Sequence, residues 1–130
     1  MKTKKILIVD DEKSARTSLA LALKSLACEI RMAESGPEAI ESLHNFSCDL
    51  LITDYGMPYM DGLRLLKIIK DKYPSLPVLV ISGDAPVQKL IEAGASGFLQ
   101  KPFDITEIKA LVQTHLFQTS CNSKNNNQEE

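Results

Sequence analysis

The feature that most constrains the fold is an alternation of short apolar segments with segments of helical spacing, which occurs five times along the chain. Three of the apolar segments are apolar at every position, as expected for strands covered on both faces of a parallel sheet, although periodicity alone also allows short buried helices. The predicted strands are residues 6–9, the amphipathic 30–33, 50–52, 78–81 and the weaker 98–99. Their alternation with helices favours an α/β fold with one parallel sheet and helices on both of its faces.

The helices are predicted from the helical spacing of apolar residues and from cap and stop residues. They span residues 12–26, 36–46, 63–73, 86–93 and 105–116. Capping boxes are expected at Ser35 and Asp104, and Asp84 is the candidate N-cap of the fourth helix. In the first helix the apolar stripe leaves Arg16 on the side that faces water.

Length, charge and apolar patterning exclude several classes of protein. The 130 residues fit a single domain, which we place at residues 1–118, followed by a disordered polar tail at 119–130. Fifteen Lys and Arg against seventeen Asp and Glu leave no basic excess for binding nucleic acid or an anionic membrane. The apolar stretches are too short for a signal peptide or a bilayer span, so we expect a cytoplasmic protein. The three cysteines lack a CxxC spacing and are typical of reduced thiols.

Polar side chains stand one or two residues after four of the predicted strands. Asp10 and Asp11 follow the first strand, Asp54 the third, Ser82 the fourth and Lys101 the fifth. Because the carboxyl ends of parallel strands meet at one edge of a sheet, we expect these groups to converge there. Three carboxylates close together repel one another unless a cation is present, and a site with only oxygen ligands favours Mg²⁺. The sequence therefore predicts a Mg²⁺ site at this edge.

The hydroxyl and the amine suit a phosphoryl group bound beside that cation. Asp54 is the candidate nucleophile and would form an aspartyl phosphate. Lys101 would neutralise one phosphoryl oxygen and Ser82 would donate a hydrogen bond to another, which is the stabilisation that phosphoryl transfer needs. Taken singly, Asp10 and Asp11 could cap a helix, and the other three could be ordinary turn, loop and surface residues. Those explanations do not account for the presence of such groups at four of the five predicted strand ends.

Four segments resemble the receiver domain of two-component response regulators. They are IVDDE at residues 8–12, DYGMPYMDG at 54–62, VISG at 80–83 and GASGFLQKPF at 94–103. The resemblance extends over residues 4–117 and implies a flavodoxin-like, doubly wound five-stranded sheet of order 2-1-3-4-5. It also implies that Asp54 accepts phosphate from a phosphohistidine on a sensor histidine kinase or a histidine phosphotransfer protein. By the same resemblance Asp11, Asp54 and the backbone carbonyl of Gly56 bind Mg²⁺, and Asp10 orders the waters of the metal.

The resemblance further implies a switch, a phosphate lifetime and an output surface. Ser82 and Lys101 would pull the neighbouring loops inward, and Phe98, where many receivers have Tyr, would couple that motion to the surface. Gly56 and Asp84 would flank the path of the water that hydrolyses the phosphate. A downstream protein is expected to bind the face formed by the fourth helix, the last strand and the fifth helix. Such a protein catalyses its own phosphorylation and dephosphorylation and is a phosphoacceptor rather than a conventional enzyme.

Other functions compete with a stand-alone phosphoacceptor that signals by protein contact. A receiver excised from a longer regulator or hybrid kinase would carry the same motifs, with the polar tail as the start of a linker. A small flavin-binding electron carrier shares the fold, but the glycine-rich turn of a nucleotide site does not follow the first predicted strand. A receiver that acts as a phosphate-independent scaffold is disfavoured, because all five polar side chains are present.

Overall fold

The structure is a computed structural model that describes the backbone of residues 3–125 and the side chains of residues 3–117. Within this part of the chain, strands and helices alternate as predicted. The strands are β1 (Lys5–Val9), β2 (Glu29–Ala33), β3 (Leu50–Asp54), β4 (Val78–Ser82) and β5 (Gly97–Gln100). The helices are α1 (Lys13–Leu23), α2 (Gly36–Asn45), α3 (Gly62–Lys72), α4 (Val87–Glu92) and α5 (Ile105–Asn125), and a short 3₁₀ helix, Lys24–Leu26, follows α1.

The strands form one parallel sheet of order β2-β1-β3-β4-β5, which confirms the predicted flavodoxin-like arrangement. The order of the strands reverses at β1 and β3, which are neighbours and pair Val9 with Thr53. Ligands of such sheets bind outside the carboxyl ends of the strands, beside this reversal. Asp10 and Asp54 lie at that edge, so the fold places them where a ligand is expected.

The sheet separates two apolar cores, and successive strand residues alternate between them. Leu7 and Val9 of β1 belong to the core that contains residues of α2, α3 and α4, whereas Ile6 and Ile8 belong to the core that contains residues of α1 and α5. Each fully buried Leu or Ile contributes roughly 2 kcal/mol through the removal of apolar surface from water. Burial on both faces explains why β1 is apolar without alternation. The packing therefore holds the carboxyl end of β1 in a fixed position.

The predicted N-cap bond at Ser35 and the complete capping box at Asp104 are present, and at α2 the returning bond reaches Glu34 instead of Ser35. The Ser35 hydroxyl accepts the N–H of Glu38 at 3.2 Å, and the Glu38 carboxylate accepts the N–H of Glu34 at 2.8 Å. At the start of α5, Asp104 and Glu107 exchange hydrogen bonds of 2.8 and 3.0 Å. Each bond satisfies an N–H group near a helix start, where intrahelical partners are lacking. These two helices consequently begin where the sequence predicts.

The predicted N-cap of the fourth helix is wrong. α4 begins at Val87, its N-cap position is Pro86, and no side chain caps it. The backbone N–H of Asp84 donates instead to the Ser82 hydroxyl at 3.1 Å. A Ser side chain that hydrogen-bonds nearby backbone competes with helix formation, and here it keeps the loop after β4 irregular. Asp84 is therefore a loop residue beside the candidate site.

The last helix extends past the boundary that we placed at residue 118. The described backbone of α5 continues to Asn125. The remainder of the predicted polar tail, residues 126–130, lies outside the described residues, and the division at residue 118 stays a prediction. No helix between residues 3 and 125 is long and apolar enough to cross a membrane.

Candidate functional site

Four strands deliver polar side chains to the carboxyl edge of the sheet. Asp10 is the first residue after β1, Asp54 and Ser82 end β3 and β4, and Lys101 is the first residue after β5. Asp10, Asp54 and Ser82 are only 5%, 8% and 5% exposed. Burying a carboxylate is costly unless it has a partner, so two buried aspartates at one edge indicate a site rather than a solvated surface.

Asp10, Asp11 and Asp54 form an acidic cluster. One carboxylate oxygen from each residue lies within 4.8 Å of the other two, and Asp11 is exposed whereas the other two residues are buried. The N-cap residue of α1 is Glu12, and its own side chain makes no capping hydrogen bond. Neither Asp10 nor Asp11 therefore occupies the N-cap position.

The environment of Asp10 disfavours its ionised form. Burial raises the pKa of Asp10, and the negative charges of Asp54 and Asp11 raise it further. The N–H of Glu12, which donates to Asp10 Oδ1 at 3.0 Å, and the positive charge of Lys101 oppose this rise. A bound cation would favour the ionised carboxylates. The cluster therefore fits a cation that takes oxygen ligands.

Lys101 joins the end of β5 to the acidic cluster. Its Nζ lies 2.9 Å from Asp54 Oδ1, with the Asp54 side chain 10% exposed and that of Lys101 45% exposed. Its backbone N–H donates to the carbonyl of Ser82 at 2.9 Å, which fixes the lysine beside β4. The hydrogen bond to Asp54 raises the pKa of Lys101, so the ammonium group stays charged at neutral pH.

Ser82 and Phe98 lie on neighbouring strands but in different surroundings. The Ser82 hydroxyl is at the carboxyl edge, where it accepts the N–H of Asp84. Phe98 pairs with Val80, two residues before Ser82, and its half-buried ring packs against the core that contains residues of α2, α3 and α4. The structure thus places the hydroxyl in the site and the aromatic ring farther along the sheet.

The loop after β3 is anchored by Gly62 and carries Gly56 on its open side. The N–H of Gly62 donates to the Tyr55 carbonyl at 2.7 Å, and a Cβ at Gly62 would lie 2.7 Å from the Tyr55 Cα. Any side chain at Gly62 would therefore displace the residue that follows Asp54. Gly56 is exposed, and apart from Gly56 and its two chain neighbours no heavy atom of the described residues lies within 4 Å of the position a Cβ would take there.

Two residues beside the site are missed by the sequence patterns. Arg16 is predicted to face water, but its side chain is only 11% exposed, and its Nη1 donates to the Asp10 carbonyl at 2.9 Å. The helical stripe assigns a face but not the reach of a long side chain, so the sequence offers no signal for this contact. Thr53 is buried, and its hydroxyl donates to the Asp54 carbonyl at 2.9 Å. A polar residue within an apolar strand is the signal that would have found Thr53.

Comparison with known proteins places the chain among signalling domains. A sequence model of the response regulator receiver domain matches residues 6–113. The DNA-binding transcriptional regulator NtrC of Escherichia coli K12 is 40% identical over 111 residues, which are 83% of this chain and 24% of NtrC. The Regulator of RpoS of the same strain is 37% identical over 125 residues, which are 93% of this chain and 37% of that protein. The chain thus spans about a quarter of the length of NtrC.

Solved structures show the same architecture. The chemotaxis protein CheY4 of Vibrio cholerae superposes with a TM-score of 0.83 at 29% identity, covering 88% of this chain and 100% of that one. The receiver domain of NtrX from Brucella abortus has a TM-score of 0.80 at 32% identity, covering 85% and 97%. Because the family model covers most of the sequence and the sheet order agrees, the chain belongs to the family of response regulator receiver domains.

Proposed function

We propose that this receiver domain accepts a phosphoryl group on Asp54 as part of a two-component phosphorelay. The observation that carries the proposal is the meeting of three carboxylates within 4.8 Å of one another, with the Lys101 ammonium 2.9 Å from Asp54 Oδ1. In the transfer, an Asp54 oxygen attacks the phosphorus of a phosphohistidine. The new O–P bond forms as the N–P bond breaks, and the imidazole leaves with the electron pair. Lys101 engages Oδ1, which leaves the second carboxylate oxygen for the attack.

The set of oxygen donors fits Mg²⁺. Asp11 and Asp54 would contribute carboxylate oxygens, Gly56 would contribute a backbone carbonyl, and Asp10 would order waters bound to the metal. Bound Mg²⁺ would supply positive charge to the phosphoryl oxygens. The burial of Asp10 and its raised pKa support this assignment. Burial disfavours the ionised form of Asp10, the charges of Asp54 and Asp11 add to that effect, and a bound cation would favour the ionised form.

Ser82, Lys101 and Phe98 are proposed to convert phosphorylation into a change of shape. Ser82 Oγ accepts the Asp84 N–H, so its own hydrogen remains free to be donated to a phosphoryl oxygen. Turning towards that oxygen would draw in the loop after β4, while Lys101 follows the phosphoryl charge. Phe98 is half-buried on β5, beside β4, and would adjust to the movement of that loop.

The proposed phosphodonor is a sensor histidine kinase or a histidine phosphotransfer protein, and a groove beside the site suits its docking. The groove lies between α1 and α5, has a volume of about 480 Å³, and includes Asp10 and Lys101 in its lining. Leu21 and Ile105, which also line it, are 66% and 60% exposed. An apolar helix of the donor would cover these side chains while presenting its histidine to Asp54.

The downstream target is proposed to bind the face formed by α4, β5 and α5. Val87 and Ile91 of α4 are 38% and 56% exposed, which gives this helix an apolar surface for a protein partner. Neither nucleic-acid binding nor a membrane role is proposed for this domain, and its proposed location is the cytoplasm. The phosphoryl group would be removed by the domain itself, with Gly56 and Asp84 flanking the path of the attacking water.

Mass spectrometry of the intact protein tests the assignment of Asp54. With acetyl phosphate and Mg²⁺ the parent protein should gain one phosphoryl group, and it should gain none in EDTA. Asp54→Asn should gain none under either condition. Asp71→Asn, the same change at an exposed carboxylate of α3, should gain one group as the parent does. No gain in the parent, or an equal gain in Asp54→Asn, would contradict the proposal.

A further inference from the structure

Arg16 occupies an unusual place for a charged residue of an amphipathic helix. It is the fourth residue of α1, yet its side chain is 11% exposed and points back to the loop between β1 and α1. Its Nη1 donates to the carbonyl oxygen of Asp10 at 2.9 Å. Since β1 ends at Val9, this carbonyl lies beyond the described strand, and the guanidinium provides the donor that a buried carbonyl needs.

Asp10 is consequently held at three points. Its backbone N–H donates to the Ala33 carbonyl at 3.1 Å, its carbonyl accepts from Arg16, and its carboxylate accepts the Glu12 N–H at 3.0 Å. The first bond ties the loop to the end of β2 and the second ties it to α1. Without the hydrogen bond from Arg16, the peptide that joins Asp10 to Asp11 would be free to rotate. The orientation of both carboxylates would then be less well defined.

The contacts of Arg16 indicate that it acts by holding the loop between β1 and α1 and not by placing its charge beside a carboxylate of the cluster. The guanidinium contacts a carbonyl, whereas Lys101 is the cation that contacts a carboxylate of the cluster. The other neighbour of Arg16 is Glu34, whose Oε2 lies 3.9 Å from Nη2 and whose side chain is 71% exposed. An ion pair so exposed is weak, so it does not account for the burial of the arginine.

We infer that Arg16 is a positioning residue of the Mg²⁺ site: its hydrogen bond to the Asp10 carbonyl aligns Asp10 and Asp11 with Asp54. The inference rests on the proposed function, because it assumes that these aspartates bind Mg²⁺. Partners that orient metal ligands are worth roughly 10- to 100-fold in metal affinity. Arg16→Met, which keeps the length of the side chain but removes its donors, should therefore raise the Mg²⁺ dissociation constant roughly tenfold or more.

A titration of the unphosphorylated protein with Mg²⁺, followed through the amide NMR signals of residues 10–12, measures that constant without any reaction. Arg16→Lys retains one donor and should bind Mg²⁺ more tightly than Arg16→Met but less tightly than the parent. Glu34→Gln and the exposed-site control Arg64→Met should bind as the parent does. At saturating Mg²⁺ the rate of phosphorylation of Arg16→Met by acetyl phosphate should return to the parent rate.

The outcomes separate this inference from the proposed function. If the parent does not bind Mg²⁺, the proposed function fails. If the parent binds Mg²⁺ and both Arg16 variants bind it as tightly as the parent, this inference fails and the proposed function stands. It also fails if Arg64→Met loses as much affinity as Arg16→Met, or if the Arg16→Met rate stays low at saturating Mg²⁺. Should circular dichroism show that Arg16→Met is unfolded, Arg16→Lys decides, and parental affinity in that variant overturns the inference.

Discussion

Replacing Asp10 by Asn should stabilise the metal-free protein and remove most of its response to Mg²⁺. Asp10 is buried, and burial together with the charges of Asp54 and Asp11 disfavours its ionised form. Asn preserves the shape of the side chain and keeps an oxygen that accepts the Glu12 N–H. The substitution therefore removes one charge with little change in packing.

The spacing of the acidic cluster sets the repulsive part of this effect, which adds to the cost of burying the charge of Asp10. Two unit charges 4.8 Å apart repel by about 1 kcal/mol in water and by about 3–4 kcal/mol at an effective dielectric constant near 20. Lys101 offsets part of the repulsion and Asp11 is exposed, so the free energy of unfolding should rise by about 1–2 kcal/mol. For a domain of this length, that gain corresponds to an increase in Tm of about 4–7 °C in EDTA.

Thermal unfolding followed by circular dichroism, in EDTA and in Mg²⁺, measures both effects. The parent should melt at a higher temperature in Mg²⁺ than in EDTA, because the cation binds the folded state. Asp10→Asn should melt above the parent in EDTA and respond little to Mg²⁺. Asp71→Asn, at an exposed position, should follow the parent under both conditions. A lower Tm for Asp10→Asn than for the parent in EDTA, or a full Mg²⁺ response, would refute the reasoning from repulsion.

Three further predictions concern pH, phosphate lifetime and the switch. The pKa of Asp10 in the folded protein is raised above its ordinary value of 3.8. Proton binding to Asp10 therefore stabilises the folded parent fully below pH 3.8, and this stabilisation is lost as the pH rises through the pKa of the folded protein. In urea unfolding with EDTA, the free energy of unfolding of Asp10→Asn should accordingly exceed that of the parent by more as the pH rises. A difference that narrows with rising pH would contradict this prediction. Gly56→Lys should slow the loss of phosphate in Mg²⁺, because it fills open space beside the loop; a rate equal to or above the parent's would leave Asp84 as the residue to test. Ser82→Ala should still gain phosphate but show smaller phosphorylation-induced amide shifts in α4 and β5, since a hydrogen-bond donor is lost; unchanged shifts would exclude Ser82 from the switch.

The strand-end residues are predictable because parallel strands share one direction. Asp54 and Ser82 follow apolar runs closely, so the end of each run marks the end of a strand and its polar residue falls at the common edge. Periodicity alone does not predict the order of the strands, because it describes a single strand and does not say which strands pair. That order came from the resemblance to receivers, and the sheet confirms it.

The sequence did not predict the hydrogen bonds that side chains make to the backbone of the loops after β1 and β4. Arg16 occupies a polar position of the α1 pattern, and only the path of the β1–α1 loop shows that its side chain reaches the Asp10 carbonyl. Asp84 has the residue type of an N-cap, but the Ser82 hydroxyl engages its N–H and the helix begins later. In both cases a hydrogen bond between a side chain and the backbone of a loop decides the outcome, and a rule that considers one helix at a time does not include such a bond.

The site has a buried half and an exposed half, and this division limits the directions from which the proposed phosphodonor could approach. Asp10 and Asp54 are buried at the carboxyl ends of the neighbouring strands β1 and β3. Asp11, Gly56 and Lys101 are exposed and border the open side. The proposed donor would reach Asp54 from that side, where Lys101 could follow the phosphoryl group on its flexible stem. Because Lys101 also lines the groove between α1 and α5, a donor seated in that groove approaches Asp54 from its accessible side.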